Sequence, residues 1–228
     1  GLHRHLLAIL EAERVPATVY VATGQIETGR PYWFDRLMTA LQGPGPFRVA
    51  LEGVGAWTVG AGRGPARWAA ISDILEALKA RPEAEREPLA ERAIGQAPPG
   101  GKVTPLAPLG RAELAALAAC PFVTIGAHSH CHGLLDRMDP AAARASMARS
   151  RGLLEDWTGR EVRHFAWPNG NHSAALRAAA AALGFRTAAA LGERVWHPAG
   201  APDRFALPRI GIGRYDGPAR FRLRLLGI

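Results

Sequence analysis

The segment Val123-Thr124-Ile125-Gly126-Ala127-His128-Ser129-His130-Cys131-His132-Gly133 is the most informative part of the chain. Together with Phe122, its first residues form an aromatic and β-branched run, so residues 122–126 are predicted to form a strand. Three histidines follow within five residues. The carboxyl ends of strands are where α/β barrels place their active sites. The pattern therefore predicts a barrel strand that carries a functional site at its end.

Metal binding is the chemistry that this histidine cluster favours, because neutral imidazole is a preferred ligand of zinc and related ions. If the chain turns helically after the strand, His128 and His132 share one face. If it stays extended, His130 shares that face as well. Both conformations allow one ion to be held, so we expect His128 and His132 as ligands and keep His130 as an alternative third ligand. Alternation directs the Cys131 thiol away from the histidine face.

The flanking sequence alternates between helical and strand patterns, which is typical of a parallel sheet or barrel. Helices are predicted over 2–14, 32–41, 68–80, 111–119, 140–156, 174–183 and 218–226. Strands are predicted over 17–22, 122–126, 162–167, 185–191 and 205–210. Residues 42–67 are rich in Gly and Pro and are expected to be irregular, and residues 81–92 are charged and interrupted by prolines. We expect one α/β domain over 1–228, with an irregular and helical insertion at about 42–106.

Composition excludes several classes of protein. The 228 residues carry a formal net charge of +8, but the basic residues are scattered arginines apart from Lys79 and Lys102. Without a basic block or a nucleic-acid motif, we expect no nucleic-acid partner. No apolar run is long enough to predict a membrane span. Cys120 and Cys131 are expected to be free thiols, which favours the cytoplasm, although a cell-envelope location stays open.

Three segments together resemble the polysaccharide deacetylases with the NodB-homology domain, carbohydrate esterase family 4. The family's second motif, His-Ser/Thr-x-x-His, reads here as residues 128–132. Residues 15–24, Val-Pro-Ala-Thr-Val-Tyr-Val-Ala-Thr-Gly, resemble its second barrel strand, and residues 165–170, Phe-Ala-Trp-Pro-Asn-Gly, resemble its third motif. Residues 29–37 also resemble a segment of one subgroup. The resemblance covers most of the chain outside about 42–106.

The resemblance implies a distorted (β/α)7 TIM-like barrel and a metal-dependent amide hydrolysis. In this family a divalent ion, here expected to be Zn²⁺, is bound by two histidines and an aspartate, which correspond to His128, His132 and a residue outside these motifs. A second aspartate is the general base, and a backbone N–H of the third motif binds the oxyanion. That N–H corresponds to Asn169, and Ser129 is expected to steady the loop between the ligands.

The sequence departs from the family pattern in three places. The Thr-Phe-Asp-Asp-Gly motif of the first strand, which supplies both aspartates, is absent, so we expect this strand to be missing. Either the sequence starts downstream of it or the protein lacks it. Ala166 replaces the arginine that usually orients the base, as it does in one subgroup. The histidine that serves the leaving group is not evident, and His197 is a candidate alongside the alternative of a surface histidine.

Further contacts with a carbohydrate substrate are expected from aromatic and polar residues near the motifs. Trp167 and Tyr32 can stack on sugar rings, with packing in a core as the alternative for each. Pro168 lies beside the expected oxyanion site. Arg209 can orient a carboxylate, with a strand-end surface position as its alternative. The oligomeric state is not predicted.

These observations predict a metal-dependent hydrolase that removes acetyl groups from an N-acetylated carbohydrate. The missing aspartates support a second hypothesis, a non-catalytic carbohydrate-binding or scaffold protein of the same fold. A third hypothesis keeps the hydrolase but changes the substrate to a non-sugar amide.

Overall fold

The structure is a computed structural model that describes residues 2–99, 104–192, 203–213 and 216–226. Its helices, in chain order, are α1 (Leu2–Glu13), α2 (Thr23–Thr28), α3 (Trp33–Ala40), α4 (Pro65–Lys79), α5 (Glu83–Gly95), α6 (Arg111–Ala119), α7 (Pro140–Thr158), α8 (Ala174–Ala182) and α9 (Pro218–Leu225). Its strands are β1 (Ala17–Val21), β2 (Phe47–Leu51), β3 (Gly55–Val59), β4 (Val123–Ala127), β5 (His164–Ala166) and β6 (Thr187–Ala189). Single 3₁₀ turns occupy Leu135–Arg137 and Pro168–Gly170. Among the described residues, no helix combines the length and the hydropathy of a membrane-spanning segment.

A parallel sheet in the order β1-β4-β5-β6 organises the first of two compact units, which comprises Gly1–Glu27 and Leu109–Ile228. Ala17 of β1 is in register with Val123 of β4, and Val21 with Ala127, so both strands end at the same level. Parallel neighbours require helical crossovers, and the helices between these strands supply them. The result is the α/β architecture of a distorted TIM-like barrel, as the resemblance implied.

The strand predicted over 205–210 is reduced to one parallel bridge between Ala189 and Leu207 in the described residues. The ladder begins normally, because the Leu207 N–H donates to Ala188 and the Ala190 N–H donates to Leu207. At the next position the Ala190 carbonyl accepts from the Arg209 Nε, at 3.0 Å, and the Gly192 N–H then donates to the Arg209 carbonyl at 3.4 Å. A side chain thus takes the place of the next ladder hydrogen bond.

The core of the first unit lies between this sheet and its helices. Phe165 and Trp167 are fully buried, with ring centroids 4.9 Å apart, and Phe185 lies 5.2 Å from Phe165. Met147 and Leu154 of α7 belong to the same buried cluster. The β5 strand, with the residue after it, is therefore anchored by its side chains at the centre of this unit.

The second unit, Thr28–Pro108, corrects the prediction for residues 42–67 and contains a helix where no element was predicted. Residues 42–67 are not wholly irregular, since β2 and β3 form an antiparallel hairpin in which Phe47 faces Val59. Residues 81–92 are largely helical, with Pro88 inside α5. Tertiary packing explains both, because Val49, Leu51 and Leu89 are buried in one hydrophobic cluster of this unit.

Candidate metal centre

His128 follows directly after β4, and its ring is oriented by the neighbouring strand. The His128 Nδ1 lies 2.7 Å from the carbonyl oxygen of Ala166, at the end of β5. A carbonyl oxygen only accepts, so Nδ1 carries the proton and donates. The Nε2 is then the lone-pair nitrogen, which is the arrangement that metal-bound histidines show in proteins. The His128 backbone N–H also donates to Val21, which ties the residue to β1.

His132 is brought back to His128 by a tight loop. The two ring centroids are 4.7 Å apart and the ring planes are nearly perpendicular, at 82°. Ser129 and His132 both adopt a left-handed backbone, with φ of 62° and 55°. Ser129 is fully buried, and its Oγ accepts a hydrogen bond from the His132 N–H at 3.0 Å. Ser129 thus holds the loop between the two expected ligands.

His130 faces a different environment from His128 and His132. Its Nδ1 lies 2.9 Å from the Thr23 Oγ1, and its Nε2 lies 3.5 Å from a carboxylate oxygen of Glu27. No group of three His, Cys, Asp or Glu side chains suited to a metal occurs among the described residues. The alternative of His130 as a third ligand is therefore not supported by its position.

A cavity of about 530 Å³ opens beside His128. The described residues that line it are Leu6, Ala17, Thr18, Val19, Tyr20, His128, Trp167, Asn169, Gly170, Leu191 and Arg209. Its walls come from α1, from β1 beginning at its first residue, and from the segments that follow β4, β5 and β6. The cavity therefore extends along β1 to the carboxyl ends of the parallel strands, where α/β folds bind ligands.

Arg209 and Tyr20 form one wall of this cavity. The Arg209 guanidinium carbon lies 5.6 Å from the centroid of the Tyr20 ring. Tyr20 lies beside Gly126 in the sheet register, and a Cβ on Gly126 would lie 2.6 Å from the Tyr20 ring. Only a glycine at position 126 leaves room for this ring. The structure thus places Arg209 in the cavity that His128 lines.

The third-motif segment forms another part of the wall. Asn169 has a left-handed backbone with φ of 55°, and its N–H is not paired with any carbonyl of the described backbone. Gly170 has φ of 77°, and a Cβ there would lie 2.6 Å from the Leu191 Cβ. Pro168 is buried and begins this turn. Asn169 therefore lines the same cavity as His128, and its role as the oxyanion donor stays a prediction.

Trp167 packs in the core, which was the alternative to stacking on a sugar. Its side chain is 0% exposed, and its indole N–H donates to the Phe205 carbonyl at 2.8 Å. Tyr32 belongs to the second unit, where its ring stacks on Phe34 at 4.9 Å. Burial and the nearby Asp35 raise the pKa of Tyr32 to about 12. His197 lies outside the described residues.

The electrostatic environment keeps His128 neutral at physiological pH. Burial, the neighbouring His132 and Arg209 together lower the pKa of His128 to about 4, against the opposing effect of its hydrogen bond to Ala166. Burial also raises the pKa of Tyr20, although Arg209 opposes this. A neutral imidazole binds a metal and a protonated one does not. His128 is therefore in its ligand form without needing to lose a proton.

Tyr20 is one of the cavity residues that sequence reasoning missed. It was predicted only as part of a buried strand, because residues 17–22 are apolar or β-branched throughout. The sequence did contain a signal for this contact. Tyr20 is the only aromatic residue within 17–22, and Gly126 is the only glycine of the strand predicted over 122–126. Pairing the two requires the register, which the sequence does not contain.

The two imidazoles are suitable ligands for a divalent metal, but they supply only two of the protein ligands that such a site needs. Zinc sites use neutral histidine nitrogens, and a hydrogen bond on the opposite nitrogen is the usual support. His128 has that support and His132 lies within reach of the same ion. A catalytic zinc site has three protein ligands, and the described residues supply two here.

Comparisons with known proteins agree with this architecture. A sequence model of the family described as polysaccharide deacetylase matches residues 1–188. The structure is similar to IcaB from Ammonifex degensii, with a TM-score of 0.54 and 14% identity over 99% of this chain and 67% of that one. It is also similar to a de-N-acetylase from Aggregatibacter actinomycetemcomitans, with a TM-score of 0.52 and 12% identity over 98% and 70%. At these identities the likeness shows the fold alone.

A Streptococcus pyogenes deacetylase, PplD in complex with acetate, is matched over 52% of this chain and 51% of its own, with a TM-score of 0.48 and 18% identity. The chain thus spans about half the length of that protein. No curated protein sequence matches the chain. The family match covers well over half of the chain and includes both histidines of the centre. The chain belongs to the polysaccharide deacetylase family.

Proposed function

We propose that this protein is a metal-dependent hydrolase that removes acetyl groups from an N-acetylated carbohydrate. One observation carries the proposal. His128 and His132 lie with ring centroids 4.7 Å apart, and the Ala166 carbonyl accepts from the His128 Nδ1, so Nε2 is left for an ion. This pair lies at the carboxyl end of β4, beside a cavity of about 530 Å³.

The residues around the cavity suit the hydrolysis of an acetamide. A divalent ion held by His128 and His132 would polarise the acetamide carbonyl and lower the pKa of the attacking water. Asn169 lines the same cavity, and its backbone N–H would stabilise negative charge on the carbonyl oxygen. Arg209 can hold a carboxylate or a polar group of the substrate, because its Nε is fixed on Ala190 while its guanidinium lies over Tyr20.

The general base is not among the described residues that line the cavity, since none of them is Asp or Glu. β1 is hydrogen-bonded to β4 on one edge, and no described strand lies on its other edge. The cavity runs along Ala17 to Tyr20 of β1. A carboxylate placed at this edge would reach the cavity, and we propose that the general base acts from there.

Acetate release from an N-acetylglucosamine oligomer tests the proposal. The chain is incubated with the oligomer and Zn²⁺ or Co²⁺, and acetate is measured enzymatically. Release that stops with a chelator and in His132→Ala supports the proposal. The control is His164→Ala, which removes a histidine that lies outside the cavity lining and is bonded to Thr187.

None of the described residues that line the cavity carries a carboxylate, which favours a second candidate, a carbohydrate-binding protein of the same fold. Binding of the oligomer with no acetate release, at any metal concentration, would contradict the enzyme proposal for this chain and support the binding protein. Hydrolysis of a small cyclic amide without acetate release would instead support the non-sugar hydrolase.

A further inference from the structure

The loop that carries the two expected ligands does not have a relaxed backbone. Ser129 and His132 are both left-handed, a conformation that residues with a Cβ rarely adopt. Strained residues of this kind persist only where surrounding contacts hold them. The contacts that hold this loop therefore decide whether His128 and His132 face each other.

The first group of contacts comes from the start of α2. The Gly24 N–H donates to the His130 carbonyl at 2.7 Å, and the Thr23 N–H donates to the Ser129 carbonyl at 3.4 Å. Thr23 is fully buried, and its Oγ1 lies 2.9 Å from the His130 Nδ1. The two residues that open α2 thus bond the backbone and the side chain of the loop.

The second group comes from α7 and from the last turn of α2. The Ser146 Oγ accepts a hydrogen bond from the His130 N–H at 3.1 Å. The His130 Nε2 lies 3.5 Å from Glu27, whose carboxylate is 2.9 Å from the Arg149 guanidinium. A carboxylate on that side favours a proton on Nε2, so Nδ1 accepts from the Thr23 hydroxyl. The His130 ring is thereby fixed from both nitrogens.

The structure around Gly24 has no space for a side chain at this position. A Cβ at this position would lie 2.8 Å from the His130 carbonyl oxygen, a backbone atom that cannot rotate away. Any larger residue must therefore push the loop from the start of α2. The contact explains the glycine on steric grounds, since nothing about its φ requires one.

We propose that Thr23, Gly24, His130 and Ser146 form a latch that holds the 128–132 loop in the conformation that brings His128 and His132 together. His130 is then a positioning residue and not a metal ligand. The inference deepens the proposed function and rests on it for the role of the ion. The latch itself is a property of the metal-free protein and can be tested without an ion.

Amide hydrogen exchange of the metal-free chain tests the latch directly. In Gly24→Ala and in Thr23→Val, exchange at His130 and His132 should be about tenfold faster, because the loop opens without its partners. Thr23→Ser, which keeps the hydroxyl, should remain close to the original chain. Gly152→Ala is the matched control, since a Cβ at Gly152 in α7 meets nothing within 4 Å. Far-UV circular dichroism and the thermal midpoint show that each variant is folded.

Two substitutions of His130 separate positioning from ligation. Asn at this position can present an acceptor to Thr23 but is a poor metal ligand, whereas Phe keeps the ring shape and loses both nitrogens. Binding of Co²⁺ alone is followed by its visible absorption. We expect His130→Asn to bind Co²⁺ almost as well as the original chain. His130→Phe and Gly24→Ala should bind about 10- to 100-fold more weakly, as is usual when the residues that orient metal ligands are lost.

The outcomes distinguish the two proposals. Unchanged exchange in both Gly24→Ala and Thr23→Val overturns the latch. Equal loss of Co²⁺ binding in His130→Asn and His130→Phe overturns it as well, because His130 then behaves as a ligand. Faster exchange in the variants of a chain that binds no Co²⁺ supports the latch and contradicts the metal centre of the proposed function.

Discussion

At the scale of single residues, the candidate metal centre and its cavity depend on positions where only glycine fits without a steric clash. Gly126 makes room for the Tyr20 ring, Gly24 for the His130 carbonyl, and Gly170 for Leu191. Each of the three lies next to a residue of the centre or of the cavity wall. The geometry of the site therefore depends on these three glycines as much as on the histidines. Sequence reasoning found the histidines because their chemistry is unusual, but it had no reason to single out these glycines.

Gly170→Ala should destabilise the protein by about 1–3 kcal/mol, because it combines a left-handed backbone with a clash. The φ at this position is 77°, and the new Cβ would lie 2.6 Å from the Leu191 Cβ and 2.7 Å from its backbone nitrogen. Urea unfolding followed by tryptophan fluorescence measures the change. Gly152→Ala in α7 should instead be neutral or stabilising, and an equal loss in both variants would refute this explanation.

The stability of the protein should fall as the pH drops from about 6.5 toward about 4, in part because of His128. The pKa of this residue is lowered from 6.5 to about 4, first by burial and then by His132. Between these values the unfolded chain binds a proton that the folded protein excludes, so the free energy of unfolding decreases with falling pH. Above pH 6.5 the residue contributes no pH dependence.

Urea unfolding of His128→Asn between pH 7.5 and pH 4.5 measures this contribution. The asparagine can still donate to the Ala166 carbonyl but does not titrate, so the pH dependence should be shallower than in the original chain. Some dependence should remain, since the pKa values of His164 and His172 are also lowered, mainly by burial. An identical pH dependence in both proteins would show that folding does not lower the pKa of His128.

At the scale of elements, helix ends were predictable and strand lengths were not. Asp139 and Pro140 indicate the start of α7, and the Asp139 carboxylate does cap it, at 3.0 Å from the Ala141 N–H and 3.1 Å from the Ala142 N–H. Gly159 closes the helix with a left-handed φ of 64°. Capping is a local interaction, so the sequence carries it. The strand predicted over 162–167 is three residues long as β5, because its length depends on the neighbouring strands.

Asp139→Ala should cost about 1 kcal/mol of stability, because two N–H groups at the start of α7 lose their acceptor. Asp139→Ser should recover most of this loss, since serine is also a good capping residue. Thermal unfolding of the three proteins measures the effect. Equal loss with serine and alanine would mean that the cap contributes nothing and that Asp139 acts in another way.

At the scale of the whole molecule, the described residues form two hydrophobic cores and not one. Met147 and Leu154 lie in the core of the first unit, and Ile74 and Leu78 lie in that of Thr28–Pro108. The second unit has its own polar anchor, since the buried Arg67 donates to the carbonyls of Leu41, Gly43 and Gly60. The chain was predicted as one domain with an insertion beginning at about 42, and the second unit begins at Thr28.

Leu78→Ala should destabilise the second unit selectively. The side chain is fully buried, and its removal should cost about 2–5 kcal/mol within that core. Hydrogen exchange should become faster across α4 and the β2–β3 hairpin and stay unchanged in β4 and α7. Met147→Ala is the reciprocal control, with faster exchange in α7. Uniform acceleration across the chain in either variant would show that the two cores unfold together.

The sequence by itself determined the family, the alternating α/β plan, the capped helices and the identity of His128 and His132 as the expected ligands. These follow from local patterns, because periodicity, capping and a five-residue motif are each contained in one short segment. The tertiary structure alone decided that His130 turns to Thr23, that Trp167 is buried in the core, and that Arg209 and Tyr20 share the cavity with His128. Each of these depends on which distant segments become neighbours in the sheet. The order of the strands in the sheet depends on the packing of the whole core, so it cannot be inferred from any single segment of the sequence.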